Sequence, residues 1–270
     1  MRSSISAAIA FCFLVASVAH AGTAAEDGFD LAGFNARIRP SVAFLERRSG
    51  GEVEGNGTGF VVRESGWVVT NHHVVEGATD MVARFHDGTE RRVLGIIADS
   101  AATDLAIVKI EGEGYTPLPI GSIEQAPEGT PIAVLGHPAG FGWTLSEGII
   151  SARRPEGMPD HLKDDPKAPK GPILQFTADS THGSSGSPVL SRTGSVVGVV
   201  QGSLGLGEIR FAIAADSVQK LLAEAKEENL RPLQEFPFRN LAISAVVFGA
   251  IGGWFWVDSR RRRNRSAVWD

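Results

Sequence analysis

The chain has 270 residues, 43% hydrophobic and 21% charged, with a formal net charge of -5, a composition that excludes wholesale disorder and collagen-like repeats and suits one large or two small domains. Without Arg2, the tail arginines (Arg260, Arg261, Arg262, Arg263, Arg265), Asp258 and Asp270, the body holds 20 basic against 29 acidic groups; so acidic a body is a poor match for phosphate backbones, and no nucleic-acid partner is expected. Cys12 is the single cysteine, which excludes an intrachain disulfide framework and a cysteine-built zinc site.

Residues 1–21 read as a secretory signal: Arg2 starts it, Ile5 to Val18 is apolar, and Ala19-His20-Ala21 places small residues at the cleavage site. Residues 22–37 read as a polar lead-in. From Ser41 the pattern is short β-branched runs separated by turn residues: Thr58–Arg63, Trp67–Thr70, Asp80–Phe85, Leu105–Ile110, Pro131–Leu135, Gly148–Ala152, Ile173–Thr177, Ser195–Gln201 and Arg210–Ile213. Many short strands at this spacing predict an all-β sandwich or barrel. The Pro- and charge-rich stretch 153–172 reads as an exposed loop. A helix is predicted over 216–230, with Val218, Leu221, Leu222 and Ala225 on one face and Asp216 or Ser217 as its cap. Residues 231–240 read as a linker. Leu241–Val257 holds 17 residues without a charge, the short end of what spans a bilayer as a helix. Trp254 and Trp256 sit near its end and five arginines follow, so 258–270 is expected to be a basic cytoplasmic tail with the body outside.

Three segments carry candidate chemistry. Trp67–Val75 contains adjacent His72 and His73, Ala102–Ile110 contains Asp104, and Asp179–Val189 contains Ser185 in Gly183-Ser184-Ser185-Gly186-Ser187-Pro188. A serine hydroxyl is a weak nucleophile at neutral pH; it needs a base, and the base needs an orienting partner on its second nitrogen. A Gly/Ser turn of this kind can also converge two backbone N–H groups, here those of Gly183 and Ser185, on a developing oxyanion. Such turns are common in β proteins. Asp104 heads an alternating apolar strand, with Asp99 as rival. On an extended segment His72 and His73 point oppositely, so only one faces a site, and spacing does not choose between them.

The body resembles the HtrA branch of the chymotrypsin-like serine proteases over residues 38–228. The landmarks, in order, are Gly57-Thr58-Gly59-Phe60, Val69-Thr70-Asn71-His72-His73-Val74, Asp104-Leu105-Ala106-Ile107-Val108-Lys109, Gly136-His137-Pro138 with Glu147-Gly148-Ile149-Ile150-Ser151-Ala152, and Gly183-Ser184-Ser185-Gly186-Ser187-Pro188. The resemblance selects His73, Asp104 and Ser185 as the catalytic residues, with Gly183 and Ser185 as the oxyanion hole. It implies two six-stranded antiparallel β-barrels, a protease domain over 38–230 (barrels about 38–113 and 114–215, then the C-terminal helix), followed here by the C-terminal transmembrane helix. It implies no metal and no cofactor, polypeptide substrates, and a bacterial cell-envelope location, which for a Gram-negative cell is the periplasmic face of the inner membrane. Relatives form trimers; whether this chain is a homo-oligomer stays open.

The chain also departs from the family. HtrA proteins usually carry PDZ domains after the protease, whereas here the helix, linker and apolar span follow. Gly-Ser-Pro after Ser185 resembles glutamyl endopeptidases, Ser184 stands where Asn or Asp is common, and the Arg47–Gly57 connection is short. Asp179, six residues before Ser185, falls where trypsin-like proteases read a basic residue; many HtrA relatives instead take small apolar ones, and His182 would suit an acidic one. Gln201 is expected to border the substrate strand. The leading expectation is a membrane-anchored extracytoplasmic serine endopeptidase; the alternatives are a catalytically idle protease fold used for binding or sensing, and a membrane-held scaffold.

Overall fold

Twelve strands occur among the residues described in this computed structural model, which are 29–49, 52–165, 168–201 and 209–233. The first six are β1 (Val42–Ser49), β2 (Glu52–Arg63), β3 (Trp67–Thr70), β4 (Asp80–Arg84), β5 (Glu90–Ser100) and β6 (Leu105–Ile110). They close into a barrel in the order β1-β2-β3-β6-β5-β4, every neighbouring pair antiparallel. The second six are β7 (Pro131–Gly136), β8 (Thr144–Arg154), β9 (Ile173–Phe176), β10 (Pro188–Ser191), β11 (Val196–Gln201) and β12 (Arg210–Ala214). They close in the order β10-β11-β12-β9-β8-β7, again antiparallel throughout.

Alternate residues of each strand fill the barrels, as a period of two requires. Ala43 and Leu45, Met81 and Ala83, and Ala106, Val108 and Ile110 form the first core with Val61 and Val68. Ile132 and Val134, Leu174 and Phe176, and Ala212 and Ala214 form the second with Ile150, Val189 and Val197. The opposite faces of several strands are buried too: Val42, Phe60, Val69, Leu105 and Ile107 are 0% exposed. β3 and β6 are thus buried on both faces, where the sequence reading of 105–110 has an alternating strand. Each such side chain contributes about 1.5–3 kcal/mol relative to exposure. The two barrels are joined by directional bonds as well: the indole N–H of Trp143 donates to the Val42 carbonyl (3.2 Å), and Thr58 N–H to the Ser185 carbonyl (2.8 Å).

The helices depart from the sequence reading at several points. A two-turn helix, α1 (Leu31–Ile38), takes up the end of what reads as lead-in and buries Phe34 and Ile38; eight residues are too few for a periodic signal to stand out. The segment after β3 is a short helix, α2 (His72–Val75), not an extended stretch. The predicted 216–230 helix is α3 (Ala215–Glu224), and it buries Val218 and Leu221 as expected. Its N-cap is Ala214, which makes no side-chain bond; the Asp216 carboxylate instead accepts the Ile123 N–H at 2.7 Å.

Beyond α3 the chain crosses to the first barrel. Glu227 accepts the Trp67 indole N–H, and Arg231 exchanges both backbone hydrogen bonds with Ile96 (2.8 and 2.9 Å). The stretch read as a linker thus begins as a strap on β5. Likewise the Arg47–Gly57 connection is paired, with Arg47 opposite Gly55 and Ser49 opposite Glu52, so the hairpin extends where sequence suggests a loop. Within 153–172, Met158 is buried against Ile173 and Phe211 rather than exposed. The signal segment 1–21, the expected span 241–257 and the tail 258–270 lie outside the described residues; among those described, no helix is long and apolar enough to cross a membrane.

Candidate active site

Both histidines sit on α2, and each takes a different carboxylate. His73 Nδ1 lies 2.8 Å from Asp104 Oδ2 and 3.0 Å from Oδ1, and the His73 backbone N–H also donates to Oδ1 at 3.0 Å. A carboxylate only accepts, so this Nδ1 carries a proton, and in the neutral ring that tautomer leaves the lone pair on Nε2. His72 Nδ1 lies 3.0 Å from Asp99 Oδ2 without hydrogen-bond alignment, and Asp99 also meets the Arg231 guanidinium. The helical turn, in place of an extended segment, lets both rings find partners.

Asp104 is held in an uncommon conformation, with φ +52°, just ahead of β6. Asp tolerates this region better than most residues. The Asn71 side-chain amide donates to the Asp104 carbonyl at 3.0 Å, which steadies the turn. The Asp104 side chain is 13% exposed and the His73 side chain 46%. A mostly buried carboxylate thus has donors, while the imidazole it orients faces solvent.

The serine loop belongs to the second barrel. Gly183 and Gly186 have φ +92° and +84°, and at either one a Cβ would run into backbone, that of His137 or of Thr58; the loop therefore requires glycine at both. Within it each peptide can be accounted for separately. The His182 carbonyl accepts from Ala139 N–H (2.5 Å), and the Ser184 carbonyl from Ser187 N–H (3.0 Å). Across each trans peptide the N–H points away from its carbonyl. Those two N–H groups belong to Gly183 and Ser185, and among the described residues neither donates a hydrogen bond. The intervening Ser184 N–H is satisfied by the Thr181 carbonyl at 2.9 Å, and the Gly186 N–H by Val200 at 2.9 Å. The loop thus leaves unpaired the two donors an oxyanion needs and pairs those around them.

Ser185 is 7% exposed, and its hydroxyl makes no hydrogen bond to His73 among the described residues. Asp179 is exposed and forms no ion pair there; its carbonyl accepts from Ser146 Oγ at 2.8 Å. His182 is exposed. Gln201 is 7% exposed at the end of β11. The structure therefore joins His73 to Asp104 and Gly183 to Ser185, and among the described residues it shows no side-chain hydrogen bond or ion pair from Asp179 or His182 to that set. Sequence reasoning missed the role of His137, which is 0% exposed. Its Nδ1 lies 3.1 Å from Thr58 Oγ1, and its ring packs on Phe44 and Trp143. Burial pushes its imidazole down from 6.5 to about 3. Among the described residues no group of three His, Cys, Asp or Glu side chains is arranged to hold a metal.

Two antiparallel barrels with a His–Asp pair on one and a glycine-framed serine on the other define the architecture of a chymotrypsin-like peptidase, and the family model for the trypsin-like peptidase domain matches residues 57–199. The chain belongs to that family. Within it the chain is similar to HtrA-type proteins. A DegP-like periplasmic serine endoprotease of Chlamydia trachomatis serovar D is 36% identical over 170 residues, 62% of this chain and 33% of that protein. Its counterpart in Hahella chejuensis is 29% identical over 185 residues, 67% of this chain and 38% of the relative. The serine endoprotease structure from Yersinia pestis superposes with a TM-score of 0.59 at 25% identity, covering 71% of this chain and 65% of that one. The HtrA-type protease AlgW with tripeptide gives 0.63 at 26%, covering 74% and 64%. The chain spans about a third of the length of the curated relatives it matches.

Proposed function

We propose that this chain is a serine endopeptidase that works outside the cytoplasm, tethered to the membrane through residues 241–257, in envelope protein quality control or regulated proteolysis. Ser185 Oγ attacks the scissile carbonyl while His73 Nε2 takes its proton. Asp104 orients the ring and balances the imidazolium charge. The tetrahedral oxyanion sits on the Gly183 and Ser185 N–H groups. His73 then gives the proton to the leaving amine as the C–N bond breaks, and water repeats the sequence to release the acid. The observation that carries this reading is the pair of N–H donors, those of Gly183 and Ser185, left unpaired among the described residues, in a fold whose other barrel presents His73 with its Nδ1 on Asp104. The apolar run before five arginines supports the tether, and the periplasmic naming of the relatives supports the compartment. Asp179, His182 and Gln201 are the residues through which a preference at the cleaved residue would be expressed.

The test is a fluorophosphonate probe on the full chain and on Ser185→Ala, read by mass spectrometry of the labelled peptide. Label on Ser185, absent from the variant, is the expected result. A folded chain without label on Ser185 would overturn constitutive activity. A binding-module reading rests on one observation, the unmade Ser185–His73 hydrogen bond, and predicts that missing label. Catalytic hydrogen bonds are commonly long before substrate arrives, which favours the enzyme.

A further inference from the structure

Thr58 and His137 take part in no step of that reaction, yet both are 0% exposed and both reach the serine loop. Thr58 Oγ1 donates to the Gly183 carbonyl at 2.9 Å and lies 3.1 Å from His137 Nδ1. A threonine hydroxyl has one proton. Spent on Gly183, it obliges Oγ1 to accept from His137, so Nδ1 carries hydrogen and the relay runs His137 Nδ1–H to Thr58 Oγ1–H to Gly183 O. This leaves His137 Nε2 buried without a partner among the described residues, a costly arrangement that an apolar residue in the same pocket would avoid. Burial holds the imidazole well below its ordinary range, so the relay is one of a neutral ring near neutral pH.

The relay's endpoint is the peptide between the two that supply the free N–H groups. Its carbonyl is held by Thr58 and its N–H by the Thr181 carbonyl. Turning that central peptide would swing the Gly183 and Ser185 donors together, and the glycine at 183 gives it the freedom to turn. Thr58 grips the loop a second time through its backbone N–H on the Ser185 carbonyl at 2.8 Å, and its own carbonyl is fixed by Thr70 Oγ1 at 2.7 Å. One threonine from β2 of the first barrel thus sets the loop of the second.

We propose that His137 and Thr58 are positioning residues for the oxyanion site, a buried donor relay that holds the Gly183 carbonyl so that the Gly183 and Ser185 N–H groups face the substrate. This deepens the serine-endopeptidase reading and rests on it. The test uses the full chain with a peptide substrate and a peptide aldehyde, which binds Ser185 as a hemiacetal and so reports on the oxyanion donors. Thr58→Val and His137→Leu remove a donor at similar volume; Thr58→Ser and His137→Asn restore one in the same place. With each variant assayed at a temperature where thermal melts show it folded, Val and Leu are expected to lower kcat about 10²-fold, with a matching loss of aldehyde affinity and little change in KM, and Ser and Asn to recover most of it. A kcat within about threefold of the parent for Thr58→Val and His137→Leu, or a folded Ser or Asn variant that fails to rescue, overturns the relay. Should one apolar variant not fold, the other against its polar counterpart decides. A parent chain with no Ser185-dependent hydrolysis is a separate outcome; it overturns the endopeptidase reading, and the relay's catalytic role with it.

Discussion

His137 makes acid sensitivity of the fold a quantitative expectation. Its imidazole is lowered from 6.5 to about 3, with burial as the cause. Below pH 6.5 the unfolded chain takes up a proton that the folded chain refuses, so stability present above that pH drains away as the pH falls toward 3. Binding one extra proton in the unfolded state shifts the balance by about 0.2 kcal/mol at pH 7 and about 2 kcal/mol at pH 5. His137→Asn keeps a donor toward Thr58 and removes the titration. Urea unfolding of the full chain, carrying Ser185→Ala against self-digestion, is to be compared with and without His137→Asn at both pH values. The parent should lose about 2 kcal/mol more than the Asn variant between pH 7 and pH 5. Equal losses would refute the reasoning, because every other titrating group is common to both chains.

Other substitutions probe the remaining links. Gly186→Ala places a Cβ against the Thr58 carbonyl at φ +84°; it should cost at least about 2 kcal/mol in thermal melts and abolish probe labelling of Ser185. His73→Ala should lower kcat by about 10⁴-fold or more, whereas His72→Ala, whose partner is Asp99, should stay within about threefold; similar losses for the two would show that the wrong histidine has been placed beside Asp104. Met158→Ala empties a small cluster with Ile173 and Phe211 and should cost about 2–3 kcal/mol in denaturant unfolding, leaving peptide hydrolysis at assay temperature unchanged.

The parts legible in sequence were those encoded locally. β-branched runs bounded by turn residues, such as Trp67–Thr70 and Ser195–Gln201, match the observed strands Trp67–Thr70 and Val196–Gln201 to within a residue. The serine loop was legible because its glycines are obligatory: no other residue fits the backbone at 183 and 186. What sequence hid was set by partners far along the chain. Glu52–Asn56 is polar and carries Gly55, poor strand material, and becomes strand because β1 pairs with it. The two histidines looked like alternatives because an extended segment was assumed; a single turn of helix gives each its own aspartate. His137 read only as part of a landmark, since nothing local says that its Nδ1 will meet a threonine 79 residues earlier.

The distribution of buried polar groups bears on how the two barrels find their register. Each barrel is closed, so no strand edge dictates the docking, and apolar faces such as those of Val42 and Phe60 favour contact while specifying position only loosely. His73 and Asp104 lie on one barrel and Ser185 and Gly183 on the other, and a slip of about 1 Å between reacting groups can cost 10²-fold in rate. Hydrogen bonds are directional and tolerate no such slip. Among the bonds that cross the boundary, Thr58 N–H to Ser185, Thr58 Oγ1–H to Gly183, His137 Nδ1–H to Thr58 Oγ1 and Trp143 Nε1–H to Val42 gather around the serine loop, and two of them end within it; Lys170 N–H to the Ala102 carbonyl adds a crossing elsewhere. Left unmade, each of those around the loop would strand a buried donor or acceptor, so misdocked arrangements are penalised at the place where misdocking would stop the chemistry.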